Sequence, residues 1–191
     1  MAHLSIIGTG TMGQVVAGIA AKGGNTVELL NTSTPEQPVT GDIVVLAVPY
    51  PSVAAVLAER ADQLAGKIVV DLTNPIDFAT FDGLTVPADG SAAAEIAAAL
   101  PGSRVLKAFN TNFGGTLGAG SVGSQTTTVL IAGDDADAKA DLAAIVAAAG
   151  LRAIDAGSLK RARELEAVGF LQVSLAAAEK ISWTGGFAIV P

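Results

Sequence analysis

The feature that most constrains the fold is a glycine-rich turn near the start of the chain. It reads Gly8-Thr9-Gly10-Thr11-Met12-Gly13, follows the apolar segment 4–7 and precedes a segment with helical apolar spacing. Gly8 lets the chain turn sharply off a strand, Gly10 leaves room for a pyrophosphate at the backbone, and Gly13 lets the helix pack closely. The free N–H groups at the helix start would face that anion. The unit is therefore predicted to bind a dinucleotide, and the competing interpretation is a structural turn that binds nothing.

Strands and helices alternate after this turn, which is typical of a doubly wound sheet. Residues 31–41, after the second strand, are rich in turn formers and replace the crossover helix of a full unit. Apolar strands are predicted over residues 26–30, 42–48, 67–72, 104–109, 126–132 and 151–155. Helices are predicted over 53–65 (capped by Ser52), 92–100 (capped by Ser91) and 158–181.

The pattern predicts an α/β fold of the Rossmann type. Its sheet is doubly wound and mainly parallel, with a trimmed second crossover and a long C-terminal helix. No internal repeat or low-complexity linker divides the sequence. We therefore expect one dinucleotide-binding domain over residues 1–191, with residues 158–191 packing on it as a helix and tail.

The composition excludes several classes of site. The chain has no cysteine and a single histidine, His3, so a disulfide framework or a thiolate metal site is excluded and no metal site is expected. A formal charge of −7 argues against nucleic acid and anionic membranes as partners. No apolar run approaches the roughly 20 residues that span a bilayer, and no signal-peptide pattern opens the chain. We expect a cytoplasmic protein.

Small or polar residues stand at the carboxyl ends of the predicted strands, where ligands bind in open parallel sheets. An NAD site usually has an acidic residue at the second strand end, whereas Glu28 comes three residues before Asn31. The absence of that carboxylate favours NADP over NAD. The candidate cofactor contacts outside the glycine turn are Asn31, Thr32, Ser33, Ala47, Val48, Pro49, Tyr50, Thr73, Asn74 and Pro75.

A catalytic acid or base is not evident in the sequence. Tyr50 and Lys107 fall near the predicted crevice, but Tyr50 is expected to pack on the cofactor or cap a turn, and Lys107 to pair with a neighbouring acid. Hydride transfer between two organic cofactors requires little acid–base chemistry from the protein. The sequence therefore favours hydride transfer, and a non-catalytic dinucleotide-binding sensor module is the alternative.

Basic residues crowd the start of the last predicted helix, at Lys160, Arg161 and Arg163. They indicate either an anion or partner site, or a solvated face. We favour the solvated face, because the spacing allows the pairs Lys160–Glu164 and Arg163–Glu166 along the helix.

The aromatic residues of the tail leave two interpretations open. Trp183 and Phe187, separated by Gly185-Gly186, either line a substrate pocket or pack in a dimer interface. We expect a homodimer formed through the last helix.

Four segments together resemble the coenzyme F420-dependent NADP oxidoreductases. They are the glycine turn, Ala47-Val48-Pro49, Asp71-Leu72-Thr73-Asn74-Pro75 and Lys107-Ala108-Phe109-Asn110-Thr111. Residues 159–166 and 179–187 are similar to the bacterial dinucleotide-binding oxidoreductases of that family in particular. The resemblance covers essentially the whole chain. It implies an N-terminal Rossmann domain that binds NADP(H) and exchanges hydride with a deazaflavin or a flavin. Our own hypothesis from the residues is wider and includes another small acceptor.

The resemblance also implies roles for individual segments. The glycine turn corresponds to the family's pyrophosphate loop, Ala47-Val48-Pro49-Tyr50 to the segment under the adenosine and nicotinamide, and Asn74-Pro75 to the loop beside the nicotinamide. Asn31-Thr32-Ser33 fall where the deazaflavin enzymes carry serine and arginine for the 2′-phosphate, so this chain departs from the family there.

Overall fold

A computed structural model describes residues 1–34 and 36–190 and is built around a seven-stranded sheet. The strands are β1 (His3–Ile7), β2 (Thr26–Leu30), β3 (Ile43–Leu46), β4 (Ile68–Asp71), β5 (Arg104–Ala108), β6 (Ser121–Val122), β7 (Gln125–Thr126), β8 (Thr128–Gly133) and β9 (Arg152–Gly157). The sheet has the order β2-β1-β3-β4-β5-β8-β9, and β6 and β7 form a separate small hairpin. All neighbours in the sheet are parallel except β5 and β8, which confirms the predicted mainly parallel sheet.

Helices cover both faces of the sheet, as the doubly wound prediction requires. One face packs against α1 and α5, and the other against α2 and α3. Strand β3 is buried at all four positions, as expected for a parallel strand covered on both sides. The helices are α1 (Thr11–Lys22), α2 (Tyr50–Leu64), α3 (Ala92–Ala99), α4 (Gly114–Ala119), α5 (Ala136–Ala148) and α6 (Ala162–Ala177).

The strand order reverses at β1, because β2 lies on one side of it and β3 on the other. Ligands of such sheets bind outside the carboxyl ends of the strands at this reversal. The loop between β2 and β3 has no helix in its described part, residues 31–34 and 36–42, which confirms the trimmed crossover. Pro35 in this loop, and Pro191 at the end of the predicted domain, lie outside the described residues.

Several predicted boundaries are wrong, each for a local reason. Helix α2 begins at Tyr50 rather than after a Ser52 cap, because the residues around Pro49 and Pro51 already suit a first helical turn. Strand β5 ends at Ala108, since Phe109 takes a φ of 65°. Strand β8 begins only at Thr128, because the preceding residues pair in the β6–β7 hairpin.

The predicted helix over 158–181 is shorter and interrupted. A 3₁₀ turn, Leu159–Arg161, precedes α6, which ends at Ala177. The N-cap prediction for α3 is confirmed, since Ser91 Oγ accepts a hydrogen bond from Ala94 N at 3.1 Å. Within the described residues, no helix is long and apolar enough to cross a membrane.

Candidate functional site

Packing requires glycine at two of the three glycine positions in the turn, Gly8 and Gly13. A Cβ at Gly8, whose φ is +118°, would lie 2.2 Å from the carbonyl oxygen of Ala47, and one at Gly13 would lie 2.0 Å from that of Gly8. At Gly10 a Cβ would meet no protein atom within 4 Å. Helix α1 starts directly after Gly10 and has no acidic residue in its first turn. Gly10 therefore faces open space beside free helix-start amides, which suits an anionic ligand.

The ends of β2 and β3 both reach the glycine turn. Gly8 N donates to Leu30 O at 2.9 Å, and Ala47 N donates to Ile7 O at 2.8 Å. Asn31, Thr32 and Ser33 follow β2 as exposed residues. The structure thus brings three of the predicted segments together at one edge of the sheet.

Glu28 does not take the place of the missing ribose-binding carboxylate. Its carboxylate accepts hydrogen bonds from the Ser5 hydroxyl and from Thr40 N, the latter at 2.8 Å. Burial raises the pKa of Glu28, but these hydrogen bonds outweigh burial and the net pKa is lowered. The side chain is thus held at β1, as the sequence spacing indicates.

Val48, Pro49 and Tyr50 pass from β3 into the start of α2. Val48 is buried and Pro49 is exposed, while the Tyr50 hydroxyl donates to the Glu95 carboxylate. Burial, followed by this hydrogen bond, raises the pKa of Tyr50 well above its usual range. Tyr50 is therefore unsuited to act as a base.

The carboxyl ends of β4 and β5 are joined by a reciprocal amide pair. Asn74 Nδ2 donates to Asn110 O, and Asn110 Nδ2 donates to Asn74 Oδ1, both at 2.9 Å. Helix α6 lies directly on this pair, since a Cβ at Gly169 would be 2.4 Å from Asn74 Oδ1. Thr73 and Pro75, the neighbours of Asn74 in the prediction, are buried beside it.

A cavity of about 340 Å³ lies between the glycine turn and this amide pair. Two aromatic rings form part of its wall, Phe113 and Trp183, with ring centres 5.0 Å apart. Trp183 thus lines a pocket, whereas Phe187 is not among the lining residues. The lining residues are Thr11, Met12, Leu72, Asn74, Asn110, Asn112, Phe113, Gly114, Gly115, Val173 and Trp183.

Buried side-chain oxygens without a hydrogen-bond partner lie at the ends of β4 and β5, next to the cavity. In the described part of the chain, the buried side-chain polar atoms without a hydrogen bond are Thr73 Oγ1, Asn110 Oδ1 and Asn112 Oδ1. The two amides cannot simply flip, because Asn110 Nδ2 also donates to Leu165 O at 2.9 Å and Asn112 Nδ2 donates to Thr128 O at 3.1 Å. An unsatisfied buried acceptor costs about 1–3 kcal/mol. These oxygens are buried behind the cavity surface, so they mark a polar cluster in its wall that the fold leaves incompletely satisfied.

Asn112 and Phe113 are site residues that the sequence analysis missed. They follow the end of β5 just as Thr73 follows the end of β4, so the strand-end rule extends to them. Their place in the wall depends on helix α4, which starts at Gly114 and is absent from the sequence prediction.

A buried ionic cluster supports the floor of the site. Lys107 Nζ lies 2.7 Å from Asp71 Oδ2 and 2.7 Å from Glu166 Oε1, and all three side chains are 0% exposed. Lys107 also donates to Thr73 O at 2.5 Å, and Asp71 Oδ1 accepts from Thr73 N at 2.8 Å. The cluster therefore fixes the backbone that leads to Asn74. The predicted pairing of Lys107 with an acid is confirmed.

Glu166 corrects the predicted surface pairs of the last helix. Its carboxylate faces inward, where it accepts from Ala92 N at 2.9 Å and Ala93 N at 3.3 Å, so it does not pair with Arg163. Burial raises the pKa of Glu166, although Lys107 opposes the shift. Among the residues described, Glu164 pairs with Arg161 at 3.3 Å rather than with Lys160.

Comparison with known proteins identifies relatives of this chain. A family model described as NADP oxidoreductase, coenzyme F420-dependent, matches residues 30–75. F420-dependent NADP reductase from Methanocaldococcus jannaschii is 33% identical over 151 residues, which cover 76% of this chain and 66% of that protein. The enzyme of the same name from Methanothermobacter thermautotrophicus is 32% identical over 166 residues, covering 80% and 68%.

A solved structure matches over nearly the full length of both chains. It is that of a candidate F420-dependent NADP reductase from Arthrobacter sp. FB24, 26% identical, with a TM-score of 0.84 and coverage of 98% of this chain and 99% of that one. By contrast, this chain spans only about two thirds of the two named reductases that it matches.

Proposed function

The chain belongs to the F420-dependent NADP oxidoreductases, a family of oxidoreductase enzymes. On this premise we propose that it transfers hydride between NADP(H) and a flavin- or deazaflavin-like acceptor, or another small acceptor. One observation carries the proposal. Thr11 and Met12 of the glycine turn line the same cavity as the strand-end residues Asn74, Asn110 and Asn112.

The dinucleotide is assigned to the line of strand ends across the reversal at β1. The pyrophosphate fits the open space at Gly10, where the first amides of α1 are free to donate. The segment Asn31–Ser33, exposed and free of carboxylates, would bind the 2′-phosphate end, and Ala47–Tyr50 would lie under the middle of the cofactor. These assignments favour the binding of NADP(H) over that of NAD(H).

The nicotinamide end is assigned to the cavity beside Met12 and Asn74. The polar residues of this lining, Thr11 and the asparagines 74, 110 and 112, are of the types that exchange hydrogen bonds with a carboxamide, which supports this placement. When bound, the nicotinamide supplies the hydride chemistry. Trp183 is 54% exposed and packs at an angle of 53° on the buried ring of Phe113, so it offers an aromatic surface to a second ring.

The protein's own contribution is binding and orientation. None of the described lining residues of the cavity has an ionisable side chain. Hydride exchange between two organic rings needs no such group, because the cofactors carry the chemistry. The cavity lining therefore favours hydride transfer over reactions that require a positioned acid or base.

Purified protein is expected to bind NADPH with a Kd in the micromolar range or below, and more tightly than NADH. Fluorescence titration of both nucleotides measures this. Turnover of NADPH is then followed at 340 nm with a deazaflavin, a flavin, a ferric chelate and a carbonyl compound as acceptors. Binding of neither nucleotide would contradict the proposed function, and tight NADPH binding without turnover of any acceptor would favour the sensor module.

We also propose that residues 1–191 form one domain and that the protein acts in the cytoplasm. We further propose that it forms a homodimer through α6. Apolar side chains exposed on α6, Val168 at 37% and Leu171 at 51%, support the dimer. Sedimentation that shows only monomer at assay concentrations would contradict it.

A further inference from the structure

Arg60 is a buried cation whose charge the fold leaves without a carboxylate partner. It lies on α2 and is 1% exposed. Its Nη1 donates to Gln37 O at 2.7 Å and its Nη2 to Thr34 O at 2.9 Å. Within residues 1–34 and 36–190, no ion pair closer than 4.0 Å involves Arg60.

A purely structural role does not explain the charge. Burial of a charge is costly unless an opposite charge compensates it, and carbonyl groups compensate it only in part. A neutral side chain already braces the same loop, since Gln63 Oε1 accepts from Val39 N at 2.8 Å. The nearest acidic residues in sequence, Glu59 and Asp62, are exposed. Glu36, the acidic residue of the loop itself, is also exposed, and it forms none of the ion pairs found among the described residues. An anion bound at this loop would compensate the charge of Arg60.

The loop that Arg60 holds is the one assigned to the 2′-phosphate. Thr34 follows directly on Asn31–Ser33 and Gln37 comes three residues later, after the strand end that Gly8 N joins to the glycine turn. NADP sites commonly place an arginine near this strand end. No lysine or arginine occurs between Lys22 and Arg60 in this sequence. The fold brings two cations to this loop, Lys67, whose Nζ donates to Gly41 O at 2.6 Å, and Arg60, which binds the part next to Asn31–Ser33.

We infer that Arg60 is a specificity-determining positioning residue for the 2′-phosphate of NADP(H). It holds the loop by the carbonyls of Thr34 and Gln37, so that the side chains of Asn31–Ser33 are presented as hydrogen-bond donors. Its buried positive charge attracts the phosphate dianion from beneath the loop, where screening by salt is weak. The inference rests on the proposed function, because it requires that NADP(H) bind at this edge of the sheet.

The Arg60→Met variant keeps most of the side-chain volume and removes the charge. We expect its Kd for NADPH to rise about tenfold to a hundredfold, and its Kd for NADH to change by less than about threefold. Arg60→Lys should retain much of the NADPH preference. The matched control is Gln63→Met, which removes a neutral brace of the same loop and should leave the ratio of the two Kd values unchanged.

The outcomes separate this inference from the proposed function. Wild-type protein that binds neither nucleotide overturns the proposed function. If the wild type prefers NADPH and Arg60→Met keeps the same preference, only the role of Arg60 is overturned. If Arg60→Met does not fold, the ¹⁵N signal of the Arg60 guanidinium in the wild type decides. A shift with NADPH but not with NADH supports the role, and equal shifts overturn it.

Discussion

Replacing Lys107 with methionine is expected to lower the free energy of unfolding by about 3–5 kcal/mol. Lys107 Nζ lies 2.7 Å from both Asp71 and Glu166, and neither carboxylate is accessible to solvent. Without the ammonium group, two carboxylates face each other in the interior with no countercharge. Urea unfolding at pH 7, followed by circular dichroism, measures the loss.

The matched control is Lys139→Met. Lys139 also forms a 2.8 Å ion pair, but it is open to solvent on one side, since the side chain of Lys139 is 13% exposed and that of its partner Asp155 is 61% exposed. Exposed pairs contribute at most about 1 kcal/mol, so this variant should be nearly as stable as the wild type. If Lys107→Met were equally mild, the buried cluster would not be the support of the site that the structure indicates.

The stability lost in Lys107→Met should depend on pH, and the direction of that dependence follows from Glu166. Burial raises the pKa of Glu166 above its usual range, and Lys107 is the main group that opposes this shift. A raised pKa means that the folded state binds the proton more tightly, so that stability is lost as the pH rises through the folded pKa. Removal of Lys107 raises this pKa further. The deficit of Lys107→Met should therefore shrink as the pH is lowered from 7 towards 5.

Local pattern was sufficient to predict the sheet and the glycine turn. The apolar run Ile43–Leu46 indicates a strand covered on both faces, and all four residues are buried. The steric need for glycine at Gly8 and Gly13 likewise follows from the strand–turn–helix order. These features depend on residues that are close together in the sequence.

The contacts that complete the site join residues far apart in the chain, and local pattern does not encode them. Glu166 has the helical spacing to pair with Arg163, but the amides of Ala92 and Ala93 and the charge of Lys107 draw it inward instead. The sequence does contain a signal that Arg60 has a special role. It falls on the apolar face of α2 with Val53, Val56, Leu57 and Leu64, where a charged residue is unexpected.

Substituting Gly10 with alanine is expected to weaken NADPH binding by about a hundredfold, equivalent to roughly 2.7 kcal/mol. The new methyl group meets no protein atom within 4 Å and Gly10 has a φ of −72°, so the fold should tolerate it at a cost of at most about 1 kcal/mol as an N-cap. The methyl would occupy the space through which a pyrophosphate approaches the backbone. Titration with NADPH, together with thermal unfolding, separates lost binding from lost stability.

The matched control for Gly10→Ala lies in the same helix. Gly18 is exposed, and a Cβ there also meets nothing within 4 Å. Gly18→Ala should leave NADPH binding unchanged and stabilise the helix by about 0.5–1 kcal/mol. Gly8→Ala is no substitute, because its clash with Ala47 O would disturb the fold itself. Wild-type affinity in Gly10→Ala would show that the glycine turn is a structural element only, since the substitution changes the proposed anion site and nothing that the protein packs against.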